Sequence, residues 1–530
     1  MSKDEEKAPS PDETDVQAGL MDERDTLRQG LHERHIQMIA LAGTIGTGLF
    51  LSSGRAIANG GPLGAFLGYT IIGASLSSVL FAVGEMGALV PLSGGIVRYA
   101  EYFFDPALAF ANGWNLVYSY LVSIPAEIVA AAVLVEFWVT ISPAVWVTVF
   151  GLLMLLTALL FVRVYGELEY GFSILKILLI VGINIMALVI TCGGAPNHEA
   201  IGFRYWNHPG PFVQYLGIKG SLGRFLGFWT VLNNALYSYS GIETITTAAA
   251  ETRNPRRAIP QAAKRIFIRI ALFYIITIFM VGLIVPSNNP DLLSIDSGNA
   301  SESPFVIAAK LAHINVVPSI INAVVLTSAW SSGNSNMLGG SRILYGLAMH
   351  GHAPSIFKRM NRFGVPAIAV GLFGVFMTLG YTAVSSTAST AFDWLQDLVS
   401  ISTLINWMSI CIVYLRFYYA CRKQGIDRNR ELPWAAPWQP WTTWASLILF
   451  TILLITGGYA TFIHGEWSDE TFITDYINIP IILVLYFGYK WTKKTKIVSL
   501  EEMPIRQWID IYQSEPVVEE RSNFIELLWK

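Results

Sequence analysis

Long apolar stretches alternate with short polar connections along the chain from about residue 36 onward. A hydrocarbon core about 30 Å thick is crossed by roughly 20 helical residues, so each stretch of that length predicts one transmembrane helix. Twelve stretches qualify, which predicts an all-α polytopic membrane protein whose two ends lie on the same side. The predicted spans are residues 36–57, 63–90, 108–136, 143–163, 170–191, 225–249, 266–286, 316–346, 365–384, 392–415, 442–464 and 471–490.

The polar ends of the chain complete a three-part organisation. Residues 1–34 are acidic and poor in large apolar side chains, a composition typical of a disordered tail. Residues 35–491 form the predicted twelve-helix domain. Residues 492–530 form a second, C-terminal tail.

The distribution of basic residues predicts the orientation of the chain. Most of the 35 Lys and Arg residues lie in the two tails and in alternate loops, and the positive-inside rule makes that side, with both termini, cytoplasmic. Asn299 begins an N-x-S sequon in the loop after the seventh span, on the opposite side, and is a candidate glycosylation site. That side carries only Arg204, Lys219, Arg224 and Lys310.

Composition excludes several classes of protein. Charged residues make up 14% of the chain, against about 25% in soluble domains, so a set of separate soluble domains is excluded. The net charge of −3 argues against a nucleic-acid partner. The three cysteines share no metal-ligand or redox spacing, and the eight histidines fall in loops or at helix edges. We therefore expect no metal site, no cofactor and no enzymatic activity.

Two of the predicted spans are interrupted at their midpoints. The first carries three glycines between Gly43 and Gly48, and the sixth carries the polar run from Tyr237 to Glu243. Glycines in one membrane helix alone are explained by close helix packing. Paired interruptions instead indicate an inverted-repeat transporter with its site at the midplane. Backbone N–H groups freed in the first break would bind an anion and carbonyls freed in the sixth a cation, which suits the zwitterion of an α-amino acid.

These interruptions occur together with several motifs of one family. The chain resembles fungal amino-acid permeases of the amino acid/polyamine/organocation superfamily from about Leu31 to the end of the twelfth span, and most closely their proline and dicarboxylic amino-acid branches. The resemblance implies a leucine-transporter-type fold of two inverted five-helix repeats, with broken helices 1 and 6, plus two additional helices. It also implies proton-coupled uptake at the plasma membrane. The motifs are His35-Ile36-Gln37-Met38, Gly84-Glu85-Met86, the run from Glu251 to Arg257 with Ile259-Pro260, the run from Ser341 to Tyr345 with Gly351-His352-Ala353-Pro354, and Tyr414-Leu415-Arg416-Phe417.

The two interruptions define a candidate substrate site. We expect N–H groups around Gly46, Thr47 and Gly48 to hold the substrate carboxylate. Carbonyls of the sixth span would hold its amino group. The resemblance implies that Tyr237 is an aromatic gate; the alternative is plain packing. The candidate substrate-binding residues are Gly46, Thr47, Gly48, Glu127, Tyr237, Ser238, Tyr239, Ser240, Gly241 and Glu243.

Ionisable residues inside the spans are functional hypotheses by default, because their burial in lipid is costly. Lys176 matches the family's lysine in the fifth span. We expect its ammonium group to lie against the broken first span and Ser331-Ser332 of the eighth, and to carry the coupled proton. Its alternatives are snorkelling or pairing with a structural carboxylate. Glu127 matches a glutamate that similar permeases use in substrate handling, and Glu243 either contacts substrate or caps exposed backbone.

We expect structural roles for three other ionisable residues, which lie near span ends. We expect capping or packing for Glu85 and snorkelling for Arg269 and Arg342.

The function predicted from these features is proton-driven import of amino acids, with neutral substrates, proline among them, favoured over acidic ones. Alternatives are an acidic or broad-range amino-acid permease and a non-transporting nutrient sensor on the same fold. The partners are the substrate, the proton and the lipid bilayer, with the proton gradient as driving force. Lys3 and Lys7 in the N-terminal tail are candidate acceptors for a ubiquitin ligase, and a plain solvated tail is the alternative.

Overall fold

The computed structural model describes residues 45–91, 95–139, 141–160, 162–241, 255–293, 303–361, 364–463 and 465–514. Helices dominate these ranges, which contain no β-strand. In chain order the principal helices are α1 (Thr47–Phe50), α2 (Ser52–Leu89), α3 (Gly95–Phe103), α4 (Pro106–Glu136), α5 (Pro143–Leu160), α6 (Val162–Thr191), α7 (Gly220–Ser238), α8 (Pro255–Arg269), α9 (Ile276–Ile284), α10 (Pro304–Leu311), α11 (Val317–Met349), α12 (Ala367–Phe376), α13 (Ala388–Lys423), α14 (Trp441–Thr456), α15 (Asp469–Tyr476), α16 (Asn478–Lys493) and α17 (Ile505–Ser514).

Seven helical segments in the described ranges are long and apolar enough to cross a membrane. Two shorter apolar helices, Pro143–Leu159 and Trp441–Thr456, coincide with further predicted spans. These findings support a multi-pass membrane protein, whereas the count of twelve spans and the inverted repeat stay predictions. The seven segments are Ser52–Leu89, Pro106–Glu136, Leu168–Thr191, Ala258–Ile284, Ala367–Ser385, Ala388–Lys423 and Asp469–Lys493.

Several predicted boundaries differ from the observed helices. The end of the first span and the second span form the single run α2, which turns sharply at Gly61, where φ is 75°. A side chain would be strained at that φ, so glycine permits the turn. The seventh span begins earlier than expected, at Pro255, and a π-helical stretch, Ile270–Ile275, joins α8 to α9. The twelfth span is divided into α15 and α16.

The helices pack in two groups that meet at the candidate site. The central helix of one group is α4, which packs against α11, α13 and α16. The central helix of the other group is α2, which packs against α7, α8 and α9. Helix α1 contacts both α7 and α11, and α6 packs against α9 and α11. Outward-facing apolar residues of the peripheral helices are exposed, as lipid contact requires; examples are Leu152, Leu178, Val375, Ile455 and Val484, each more than half exposed.

The chain beyond the last predicted span packs back onto the helical body. Its polar composition predicts only a C-terminal tail. The Val498 N–H donates to the Phe104 carbonyl at 2.8 Å. In α17, Trp508 is 2% exposed, and its ring meets that of Tyr102 edge-on with centroids 6.1 Å apart. Residues 498–514 therefore form a packed layer against α3 and the loop that follows it.

Candidate functional site

The break predicted in the first span leaves an extended residue immediately before α1. Gly46 has φ −111° and ψ −154°, so the helix begins at Thr47, whose side chain is fully buried. A Cβ atom on Gly46 would lie only 2.6 Å from Glu127 Oε1, so the carboxylate approaches the backbone at a distance that only glycine allows. Gly43 and Thr44 lie outside the described residues.

Glu127 connects three helices through both of its carboxylate oxygens. Oε1 accepts a hydrogen bond from Ser332 Oγ of α11 at 2.8 Å, and Oε2 accepts one from Thr47 Oγ1 of α1 at 3.0 Å. The Thr47 hydroxyl also lies 3.4 Å from the Tyr237 hydroxyl of α7. Glu127 is 5% exposed and Tyr237 is equally buried. These four residues form what we call the Glu127 cluster, and they bring both predicted breaks to one place.

The break in the sixth span begins where α7 ends. Ser238 Oγ donates to the Gly48 carbonyl at 2.8 Å and lies 2.8 Å from the Tyr69 hydroxyl, which fixes the end of α7 against α1 and α2. Ser240 and Gly241 follow, and Gly241 has φ 77°. Residues 242–254, which include Glu243, lie outside the described residues.

Tyr239 belongs to a group of aromatic side chains beside the break in the sixth span. Its hydroxyl donates to the Tyr69 carbonyl at 3.1 Å, and its ring centroid lies 4.6 Å from that of Tyr274. The side chain is fully buried. The side-chain hydrogen bond and ring contacts described for Tyr239 thus involve other tyrosines, not members of the Glu127 cluster.

Lys176 lies beside this arrangement, on α6. Its Nζ donates to Ser331 Oγ at 3.0 Å, as the predicted position near Ser331-Ser332 requires. The same hydroxyl donates to Glu169 Oε2 at 2.5 Å, and Nζ lies 3.7 Å from Glu169 Oε1. The Lys176 and Glu169 side chains are fully buried. We call these three residues the Lys176 cluster; because Ser331 and Ser332 are consecutive, α11 joins it to the Glu127 cluster.

Sequence reasoning did not single out Glu169. The available signal was its spacing, because residues seven apart lie on nearly the same face of a helix. A carboxylate two turns from a buried lysine predicts an ion pair between them. The observed contact of Lys176 with Glu169 agrees with the alternative in which Lys176 pairs with a carboxylate.

Glu85 has a packing role, as predicted. It accepts two hydrogen bonds from the Arg428 guanidinium at 2.6 Å each, one from the Tyr414 hydroxyl at 2.7 Å and one from the Ala436 N–H at 2.8 Å. Burial alone would lower the pKa of Arg428, but the hydrogen bonds and charge of Glu85 raise it above the usual arginine value. This ion pair holds the loop after α13 against the end of α2.

The prediction that Arg269 snorkels is wrong. Its side chain is 2% exposed, so it does not reach an aqueous interface. The physical reason is the length of α8: the helix starts at Pro255, which places Arg269 about 20 Å along it. The Asn299 sequon and the N-terminal Lys3 and Lys7 lie outside the described residues.

The residues that the structure describes contain no group of three or more His, Cys, Asp or Glu side chains that could hold a metal ion. The polar chemistry of the site therefore consists of carboxylates, hydroxyls, an ammonium group and backbone.

Comparison with known proteins identifies the family. The chain matches the amino acid permease family over residues 35–502. It is 39% identical to a proline-specific permease of Saccharomyces cerevisiae, over 99% of this chain and 83% of that protein. It is 36% identical to a dicarboxylic amino acid permease of the same yeast, over 93% of this chain and 82% of that protein.

Solved structures support the fold. A manganese transporter of Eremococcus coleocola, in complex with an aromatic bis-isothiourea compound, superposes with a TM-score of 0.54 at 14% identity and covers 90% of this chain and 94% of its own. This likeness concerns the fold alone. Together with the family match, it indicates a transporter and not an enzyme. The chain therefore belongs to the amino acid permease family, as its resemblance to fungal permeases predicted.

Proposed function

We propose that this permease imports neutral amino acids, proline among them, across the plasma membrane by symport with protons. The proposal includes the twelve predicted spans, the two inverted five-helix repeats and cytoplasmic termini. The observation that carries it is the adjacency of the two clusters: a buried lysine and a buried glutamate lie on either side of α11, next to the break in the first span.

In this proposal the two breaks hold the substrate from opposite ends. The N–H groups at Gly46, Thr47 and Gly48 bind its carboxylate, because Gly46 is extended and the helix starts immediately after it. The carbonyls from Tyr237 to Ser240 accept hydrogen bonds from its ammonium group. Tyr237, which packs against Phe392 with ring centroids 5.8 Å apart, covers the bound substrate as a gate.

The position of Glu127 favours neutral over acidic substrates. Its Oε1 lies close enough to Gly46 that a bound substrate carboxylate is its near neighbour. Two unit charges 4 Å apart repel by about 4 kcal/mol at an effective dielectric of 20. A second acidic group on the substrate would add to this repulsion. Similarity to a proline-specific permease supports the same preference, although a dicarboxylic permease is also among the relatives.

The same repulsion couples substrate to protons. A proton on Glu127 removes the repulsion, so the substrate and a proton bind together more readily than either does alone, and the effect is reciprocal. Lys176, hydrogen-bonded to Ser331 one residue from the serine that contacts Glu127, then carries the coupled proton through the protein.

The test is uptake by purified protein in liposomes. We expect a radiolabelled mixture of the standard amino acids to accumulate when the outside is made acidic, and accumulation to stop when a protonophore collapses the gradient. A protein that binds amino acids without any gradient-dependent flux would be a sensor, which would refute the proposal. Competition by each standard amino acid in turn then ranks the substrates; strongest competition by aspartate and glutamate would overturn the preference for neutral ones.

The proposal assigns no cofactor, since the proton gradient supplies the energy. Two peripheral sites belong to it: Asn299 as a glycan acceptor, and Lys3 and Lys7 as ubiquitin acceptors. Glycosidase treatment of protein from fungal membranes, and replacement of both lysines by arginine followed by ubiquitin blotting, test these sites. No mobility shift, or unchanged ubiquitylation, would exclude the respective site.

A further inference from the structure

One buried carboxylate has no role in the transport scheme above. Glu169 lies seven residues before Lys176 on α6, and side chains on a helix lean toward its N-terminus, so the long Lys176 side chain extends back toward Glu169. Their charged groups are 3.7 Å apart, and both side chains are fully buried.

The Ser331 hydroxyl lies between the two charged groups. It accepts a hydrogen bond from Lys176 Nζ and donates one to Glu169 Oε2. The other oxygen of Glu169, Oε1, is buried and receives no hydrogen bond among the described residues. The described hydrogen bonds therefore leave one oxygen of the carboxylate free, and the bond from Ser331 is a path along which a proton reaches the other oxygen, Oε2.

The charges around this group favour proton movement inside the protein. Lys176 and Glu169 neutralise each other whether the proton sits on nitrogen or on oxygen, so its transfer leaves the net buried charge unchanged. A net charge in a low-dielectric interior is costly, and such a transfer avoids that cost. Among the described residues, Glu127 of α4 and Arg269 of α8 also act on the charge of Lys176.

We propose that Glu169 is the proton acceptor of Lys176 on the route to the cytoplasm, an inference that rests on the proposed function. The proton leaves Lys176 Nζ for the Ser331 hydroxyl, whose own proton passes to Glu169 Oε2. The ammonium and carboxylate become an amine and a carboxylic acid. The neutral lysine then takes the proton held by Glu127, so the net change is one proton moved from Glu127 to Glu169.

The direction of transfer follows from the helix. Seven residues span about 10 Å along α6, and Glu169 lies on the side of Lys176 that the proposed topology places nearer the cytoplasm. Glu127, once ionised, again repels the substrate carboxylate, so loss of the proton and release of the substrate occur on the same side.

A purely structural role for Glu169 makes a different prediction. As a fixed counter-ion it would hold Lys176 in place, and its loss would impair every transport mode together. As a proton acceptor it is needed only when protons cross, and not when one substrate molecule exchanges for another. Counterflow at equal pH on both sides measures exchange alone, whereas uptake driven by an acidic exterior measures coupled transport.

The experiment compares variants of the full-length protein in liposomes, with a radiolabelled mixture of the standard amino acids as probe and a pH dye inside. For Glu169→Gln, which keeps size and an acceptor oxygen for Ser331, we expect wild-type counterflow, while gradient-driven uptake and proton entry fall by about 10²-fold. Ser331→Ala, which leaves both charges in place, should show the same split to a smaller degree. Glu169→Asp should recover part of the coupled uptake.

The control is Glu136→Gln, the same change at the far end of α4, where no loss is expected. A Glu169→Gln protein that keeps the wild-type ratio of coupled uptake to counterflow would overturn the inference, whether both activities stay at the wild-type level or both fall together. If Glu169→Gln fails to fold, as judged by its melting temperature, wild-type coupling in Ser331→Ala overturns the inference. A wild-type protein without gradient-driven uptake would instead refute the proposed function.

Discussion

Replacing Glu127 by Gln tests the proposal that the substrate site senses protons through this carboxylate. The amide matches the carboxylate in shape and keeps an oxygen that can accept the Ser332 hydrogen bond, but it cannot ionise. If its nitrogen faces Thr47, one hydrogen bond is lost, at a cost of about 1 kcal/mol. The main effect of the change is therefore on charge.

The size of that effect follows from the position of Gly46. A substrate carboxylate bound there accepts hydrogen bonds from the N–H groups with N–O distances of about 3 Å. This puts its charge roughly 5 Å from that of Glu127. At an effective dielectric of about 20 the repulsion is about 3 kcal/mol, equivalent to about 10²-fold in affinity. We expect wild-type affinity to fall by about this factor as rising pH ionises Glu127. Affinity of Glu127→Gln should stay near the acid wild-type value throughout.

A binding assay on detergent-purified protein, with radiolabelled proline across a pH series, checks this expectation. Glu136→Gln should reproduce the wild-type profile, because its side chain is not part of the Glu127 cluster. If Glu127→Gln binds more weakly than wild type at every pH, the carboxylate pairs with the substrate's ammonium group instead. If it keeps the wild-type pH dependence, another group senses the proton. Either result refutes the reasoning.

Three further predictions concern Lys176, Gly46 and Arg428. Lys176→Met should abolish proton-driven accumulation in liposomes and leave counterflow, and accumulation with unchanged pH dependence would remove Lys176 from proton coupling. Gly46→Ala should abolish uptake in folded protein, since its Cβ would meet Glu127 Oε1 at 2.6 Å, whereas Gly171→Ala, with open space around it, should transport normally; equal activity would contradict the close approach. Arg428→Ala should destabilise the protein by about 3–5 kcal/mol, because the buried Glu85 loses its cation. A melting temperature no lower than that of Arg430→Ala, whose side chain is 87% exposed, would argue against that cost.

The sequence predicted those parts of the site that depend on rare residues in apolar surroundings. A lysine in the middle of an apolar stretch and glycines in another are conspicuous, and the structure places Lys176 and Gly46 on either side of α11. Glu169 is harder to predict because it lies one residue before the predicted fifth span, where a carboxylate is ordinary. Only the packing of α6 against α11 shows that it faces inward.

Helix boundaries explain most of the remaining differences. The position of Arg269 near a predicted span end suggested exposure, but α8 extends well before that end, so local hydropathy misplaced the residue. The packing of residues 498–514 could not be predicted either, because a polar tail and an amphipathic docked helix differ mainly in what covers their few apolar side chains. In the structure Trp508 packs against Tyr102.

The adjacency of Ser331 and Ser332 also bears on how much energy the carrier wastes. Neighbouring residues on a helix point about 100° apart, so these two hydroxyls face different partners from one rigid segment. A rotation of α11 that breaks the contact with Glu127 also moves the hydroxyl that bridges Lys176 and Glu169. Proton leak without cargo, or cargo slippage without a proton, would require one contact to change while the other stays. If transport is coupled to protons as proposed, helix α11 would thus oppose both kinds of futile cycle.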